Sequence, residues 1–162
     1  MKTLIVIDLD VVTVHLWKGS QAKEAAEFIK KVESKCFDII VPYTLLELAK
    51  NWQYTGLKEK ITAFYRKYAV EVNAADVEKK LGSSGINDKE LVISLVACGV
   101  KEEDAALVMT ASLFKADYLV TFNRKHLRSK EAKICEVLSG MGIPEIKICS
   151  PSELLKEAQN ED

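Results

Sequence analysis

Asp8 and Asp10 close a short apolar run, Thr3-Leu4-Ile5-Val6-Ile7. Two carboxylates this near each other repel unless something cationic lies between them. A hard divalent cation, which prefers oxygen ligands, would answer that need. Three further oxygen donors can join them: Glu47, Asp104 and Asn123. The two histidines, His15 and His126, have no partners that suggest a histidine-based mechanism. Cys36, Cys98, Cys135 and Cys149 are far apart with no Cys-x-x-Cys pair, so zinc spacing is absent. Reduced, mostly buried thiols are expected.

Each donor also has a plainer role. Thr44-x-x-Glu47 has the form of a helix capping box. Asp104, in a first helical turn, favours the helix macrodipole. Asp10 can be solvated or cap a turn, and Asn123 can be an ordinary turn residue. Asp8 is hardest to explain this way, because an acid closing a buried strand is costly without a partner.

The elements around these residues decide whether they meet. The first run is short and rich in β-branched residues, as suits a buried parallel strand. Residues 37–41, 69–72, 116–121 and 146–149 read as four more strands. Helical periodicity runs over residues 21–35, from Thr44 to about 54, over 57–68 and over 74–81. Gly82-Ser83-Ser84-Gly85 reads as a stop and the most mobile loop. Asn87 or Asp88 caps a helix ending at Gly99, another begins near Lys101, and Ser150-Pro151 opens the last. Strands alternating with helices predict an α/β three-layer sandwich with a mainly parallel central sheet of about five strands. In such a sheet the loops after the strands open on the carboxyl side, which puts Asp8, Glu47 and Asn123 near one rim. The helix carrying Asp104 runs back towards the start of the fourth strand, so its first turn reaches the same rim.

The chain has 162 residues, of which 48% are hydrophobic, enough for a sizeable core in one domain. Its net charge of −1 does not announce a nucleic-acid binder, so any such contact needs a local basic patch. The loop Arg124-Lys125-His126-Leu127-Arg128-Ser129-Lys130 is one. Arg124, Lys125 and Arg128 are candidates for phosphate contact, with a solvated loop as the plainer reading. Trp17, Trp52 and Tyr54 can stack on bases or serve packing. Asp8 cuts the first apolar run too early for a signal peptide, and no stretch nears a membrane span. The expectation is a soluble, cytoplasmic chain.

Taken in order, Ile5-Val6-Ile7-Asp8, Leu46-Glu47-Leu48, Asp104-Ala105-Ala106-Leu107-Val108-Met109-Thr110-Ala111 and Ala116-Asp117-Tyr118-Leu119-Val120-Thr121-Phe122-Asn123 closely resemble the PIN-domain nucleases. Ile146-Lys147-Ile148-Cys149-Ser150-Pro151-Ser152-Glu153-Leu154-Leu155 looks like that family's last strand and helix. The resemblance covers almost the whole chain and implies one PIN-like domain over residues 1–162. It implies a ribonuclease dependent on Mg2+ or Mn2+, hydrolysing RNA phosphodiesters. Asp8, Glu47 and Asp104 fall on three of the family's acidic positions. Asn123 falls where many members carry a fourth acid, so a negative charge is missing there. Asp10 stands where Asn or Ser is common and can return that charge as a ligand. Leu9 departs from a common small hydroxyl residue, whereas Thr121 matches a polar position near the site and is a candidate for substrate contact. Asp117 matches a frequent residue outside it. The resemblance also implies partners: RNA, an antitoxin or an RNA-processing complex, and a second copy in a homodimer.

Two other readings use the same residues. Asp8-Leu9-Asp10-Val11-Val12 resembles the first motif of haloacid dehalogenase-type phosphatases, which need a later lysine and an acidic pair on another strand end. A chain lacking the fourth acid can also be a non-catalytic PIN-like RNA-binding or scaffold domain.

Overall fold

A computed structural model describes residues 2–17, 20–51 and 55–160. The side chain of Trp17, and all of Trp52 and Tyr54, lie outside the described residues. So do the expected break at Gly19 and the last two residues of the tail.

The sheet has five strands: β1 (Thr3–Ile7), β2 (Phe37–Pro42), β3 (Val70–Val72), β4 (Tyr118–Val120) and β5 (Lys147–Cys149). Their order is β3-β2-β1-β4-β5 and every pairing is parallel. "Mainly parallel" thus becomes wholly parallel. The chain builds outward from β1 to β3, then crosses back to place β4 on the other side of β1. This reversal beside β1 is where open α/β sheets leave a crevice at their carboxyl ends. Ile5, Val6 and Ile7 are fully buried there, paired with Tyr118, Leu119 and Val120.

The helices are α1 (Leu9–Trp17), α2 (Ala22–Glu33), α3 (Tyr43–Lys50), α4 (Thr55–Tyr68) and α5 (Ala74–Ser84), then α6 (Asp88–Ala97), α7 (Glu102–Leu113), α8 (Glu131–Gly140) and α9 (Pro151–Asn160). A 3-10 turn, Arg128–Lys130, precedes α8. Helix α1 packs on α2 and α4, and α2 on α9; α7 packs on α3, α5 and α6. Asn87 caps α6 by accepting from Lys89 N and Glu90 N. Ser150 and Glu153 form a reciprocal box at α9.

One helix has no counterpart among the sequence expectations, and two local expectations change. Helix α1 has no clear helical signal in its run of Val11, Val12, Thr13 and Val14, which are β-branched and disfavour helix. Burial of Val11 and Val12 against the core outweighs that preference. Helix α3 begins at Tyr43, with Pro42 as its uncapped N-cap, so Thr44 and Glu47 form no capping box. It ends at Lys50 rather than near 54. Gly82, Ser83 and Ser84 continue α5, and Gly85 closes it in the left-handed conformation (φ 67°).

The cysteines are all free, but Cys36 is exposed and only Cys149 is buried. Burial, and then Glu153, push the Cys149 thiol up to about 12. No described helix is long and apolar enough to cross a membrane.

Candidate active site

Asp8 continues the edge between β1 and β4. Its N–H donates to Val120 O at 2.9 Å, so the strand pairing fixes the carboxylate's origin. One side-chain oxygen accepts from Leu9 N at 2.7 Å, at the start of α1. The other accepts from Thr121 Oγ1 at 2.8 Å. The residue is 8% exposed.

Asp10 sits in the first turn of α1 and reaches across to the end of β4. Phe122 N donates to its carboxylate at 3.2 Å, and Thr121 Oγ1 lies 3.3 Å away. Thr121 itself is fully buried and accepts from Asn123 N at 3.0 Å. It therefore orients both acids from beneath. The expectation that Thr121 touches substrate is corrected, because no part of it is open to solvent.

Behind this group, Tyr65 on α4 is fully buried and donates to Ile7 O at 2.8 Å. Burial, then Asp8 and Asp10, hold its phenol well above the ordinary range, so it stays a donor. Nothing in the sequence singled out this tyrosine, which lies 58 residues from its partner.

The acids crowd one another. Burial raises Asp8, against the hydrogen bonds from Thr121 and Leu9 that lower it. Burial, and then the charge of Asp8, raise Asp10 to about 7. Burial and then Asp8 raise Asp104 to about 6, while Lys101 pulls the other way. This is the signature of several carboxylates facing a shared space.

That space is a hollow of about 360 Å³, lined by Asp8, Asp10, Thr13, Lys101, Asp104 and Asn123 among others. Lys101 is the N-cap of α7 and Asp104 lies in its first turn. Lys101 belongs to no motif, and its one sequence signal is a cation three residues before an acid at a helix start.

The remaining expected residues divide. Asn123 is in the hollow, but its oxygen accepts from His126 N at 3.0 Å. That N–H fixes which amide atom is oxygen. Its nitrogen lies 3.4 Å from an Asp104 oxygen. Asn123 is thus a donor towards Asp104, and its expected role as an oxygen ligand is corrected. Glu47 is exposed and lines a neighbouring hollow of about 460 Å³ with Thr44, Asn51 and Lys101, apart from Asp8. The start of α3 at Tyr43 sets that position. Arg124 and Lys125 are exposed. Arg128 is partly exposed and paired with Glu153 at 2.6 Å. Asp117, outside the site as expected, accepts from Leu4 N at 2.9 Å.

Among the described residues, no three His, Cys, Asp or Glu side chains converge as a ready-made metal cage. Magnesium does not require one. It keeps several waters and is commonly held by one or two carboxylates together with substrate phosphates. The all-oxygen donors at Asp8, Asp10 and Asp104, and their mutual repulsion, fit that mode.

No family model matches the sequence, and no curated protein matches it. Among solved structures, the chain is similar to one in the crystal structure of VapBC2 from Rickettsia felis bound to a DNA fragment from their promoter. The TM-score is 0.56 at 12% identity, over 91% of this chain and 98% of that one. The fold is PIN-like. Its five-stranded parallel sheet, flanked by helices, leaves the acidic hollow beside the carboxyl ends of β1 and β4.

Proposed function

We propose that the chain is a divalent-metal-dependent endoribonuclease, hydrolysing RNA phosphodiesters at the hollow beside β1 and β4. The observation that carries this is the convergence of Asp8, Asp10 and Asp104 on one lined space, with carboxyls pushed up by burial and by one another. Asp8, Asp10 and Asp104 are the residues to hold Mg2+ or Mn2+, since all three bring carboxylate oxygens to that space. When bound, such an ion supplies Lewis-acid charge for the phosphate and a water acidic enough to attack near neutral pH.

The chain's own groups do the rest. Leu9 N and Thr121 hold the Asp8 carboxylate at one angle. Asp10 ties the start of α1 to the loop after β4, so the rim cannot spread. Asn123 donates towards Asp104 and steadies it. Lys101, at the wall of the hollow, is placed to meet a phosphate oxygen and offset its charge. Glu47, in the adjoining hollow, has no part in holding the ion in this reading.

The VapBC2 structure, with its promoter DNA, supports the toxin–antitoxin form of this proposal, in which a small partner protein holds the nuclease in check. A homodimer, which the resemblance implies, stays a separate proposal tested by solution mass.

Lys101 in the hollow with Asp8 and Asp10 is the one observation that favours the phosphatase reading. Against it, Thr121 and Asn123 stand at the end of β4 where an acidic pair is needed. One experiment separates these. A labelled single-stranded RNA is incubated with the chain and Mg2+ or Mn2+, beside Asp8→Asn and beside a small phosphomonoester. Metal-dependent RNA cleavage that Asp8→Asn abolishes is expected. Equal RNA cleavage by both proteins would sink the nuclease reading, and phosphate release from the monoester alone would replace it with a phosphatase. RNA binding without cleavage under any metal would favour the non-catalytic reading.

A further inference from the structure

A third hollow, of about 700 Å³, lies between the end of α3 and the outer side of α4. It is lined by Lys50, Lys58, Arg66 and Lys67 against a single carboxylate, Glu59, with Thr62 and Ala63 also in the lining. Such a concentration of cations is out of proportion in a chain of net charge −1. Among the described residues, none of the four cations is within ion-pair distance of an acid; the ion pairs there are Arg128–Glu153 and Lys147–Glu157. Their charge is therefore left to the solvent or to a ligand.

The geometry is ordered. Lys58, Thr62 and Arg66 are four residues apart and form one stripe along α4, about 12 Å long at the helical rise. Lys58 Nζ donates to Lys50 O at 3.3 Å, which brings its ammonium across to the end of α3. Lys67 Nζ lies 5.3 Å from the centre of the Tyr68 ring. Between the cations, Thr62 turns its hydroxyl inward to Lys58 O at 2.8 Å and Ala63 is small, so a ligand backbone can approach closely.

The basic cleft and the acidic hollow lie along the same helix, α3. Lys50 lines the cleft, while Glu47 and Asn51, its neighbours along α3, line the middle hollow. The middle hollow in turn shares Leu48, Lys101 and Glu103 with the one containing Asp8. Three depressions thus follow one another along α3, basic at one end and acidic at the other.

We propose that the α3–α4 cleft binds the sugar–phosphate backbone of the single-stranded RNA whose scissile bond lies in the Asp8 hollow. A row of cations without acid partners, over small side chains, recognises phosphates. The cleft therefore supplies affinity and direction. This inference rests on the nuclease reading for the identity of the strand.

The test measures anisotropy of a labelled single-stranded RNA with the full chain carrying Asp8→Asn, so that binding is seen without cleavage, over a series of salt concentrations. Adding Lys58→Glu and Arg66→Glu is expected to weaken binding at least about tenfold, and to flatten the salt slope by about 1.4 for two lost contacts. Lys23→Glu with Lys30→Glu, the same charge change on exposed positions of α2, is expected to weaken it less than about twofold. Equal losses from both pairs, or no loss from the first, would overturn the proposal. So would intact RNA affinity combined with lost binding of duplex DNA or of poly-glutamate, which would assign the cleft to another polyanion. Failure of the nuclease reading appears elsewhere, as absent cleavage by the unsubstituted chain, and leaves this binding measurement standing.

Discussion

The hollow beside β1 and the cleft on α4 both gather like charges, and they hold them in opposite ways. At Asp8, Asp10 and Asp104 the charges are partly or fully buried, fixed by backbone N–H groups, a threonine and the Asn123 amide, and pushed towards protonation. At Lys50, Lys58, Arg66 and Lys67 they stand mostly open to water, where repulsion is screened within about 10 Å at ordinary salt. The first arrangement costs folding energy and is worth keeping only for a site that needs fixed geometry. The second costs little and suits a ligand that slides. Chemistry belongs to the buried group and capture to the exposed one.

The largest effect should separate the two functions. Asp8→Asn is expected to slow RNA cleavage more than about a hundredfold, the scale of losing a principal charge at a reacting phosphate. Its RNA affinity by anisotropy should stay within about twofold of the unsubstituted chain, measured in EDTA. Loss of both together would break the division. Next comes the buried linkage. Thr121→Val keeps the shape but removes the hydroxyl shared by Asp8, Asp10 and Asn123 N. It should lower the unfolding free energy by about 2 kcal/mol in a urea titration. An unchanged midpoint would mean that the acids do not depend on it.

A smaller effect comes from pH. Asp10 titrates near 7 in the folded chain instead of its ordinary 3.8, so between those values the folded state holds more protons than the unfolded one. Stability then falls as pH rises through that window. Asp104, raised to about 6, acts in the same direction. In EDTA the chain should therefore melt higher at pH 5 than at pH 8. Asp10→Asn should remove much of that difference, gaining about 1 kcal/mol at pH 8, or roughly 2–4 °C. A melting temperature that rises with pH in both proteins would show that the acids are not crowded as described. The smallest effect is on Arg128, whose partly exposed pair with Glu153 contributes less than about 1 kcal/mol. Arg128→Ala should barely move the melting temperature or the RNA affinity, whereas the Lys58/Arg66 pair moves the affinity strongly.

Much of the fold was legible because its signals are local. The runs at Ile5-Val6-Ile7, Phe37–Pro42 and Tyr118–Val120 are short, apolar and bounded by breaks, and Asn87 and Ser150 announce their helices. Asp8 and Asp104 were legible for the same reason, one closing a strand and one opening a helix. What could not be read is non-local. The partners of Asp10 lie more than a hundred residues away, at Thr121 and Phe122, and no periodicity encodes them. Asn123 offers nitrogen rather than oxygen to the hollow because of one N–H in the following turn, at His126. Glu47 lines the adjoining hollow, on a helix that starts one residue before the apparent cap. The α4 cations each look like an ordinary solvated face. Only the packing of α3 on α4 turns them into a cleft.

The ends of the sheet carry a consequence of their own. Both outermost strands, β3 and β5, are three residues long, and each places a charged side chain, Glu71 or Lys147, in the open. A foreign strand arriving at either margin finds few free amide and carbonyl groups to pair with. Fibril-like stacking is thereby discouraged at both margins, and any self-association of this chain is better served by its helical surfaces than by extension of the sheet.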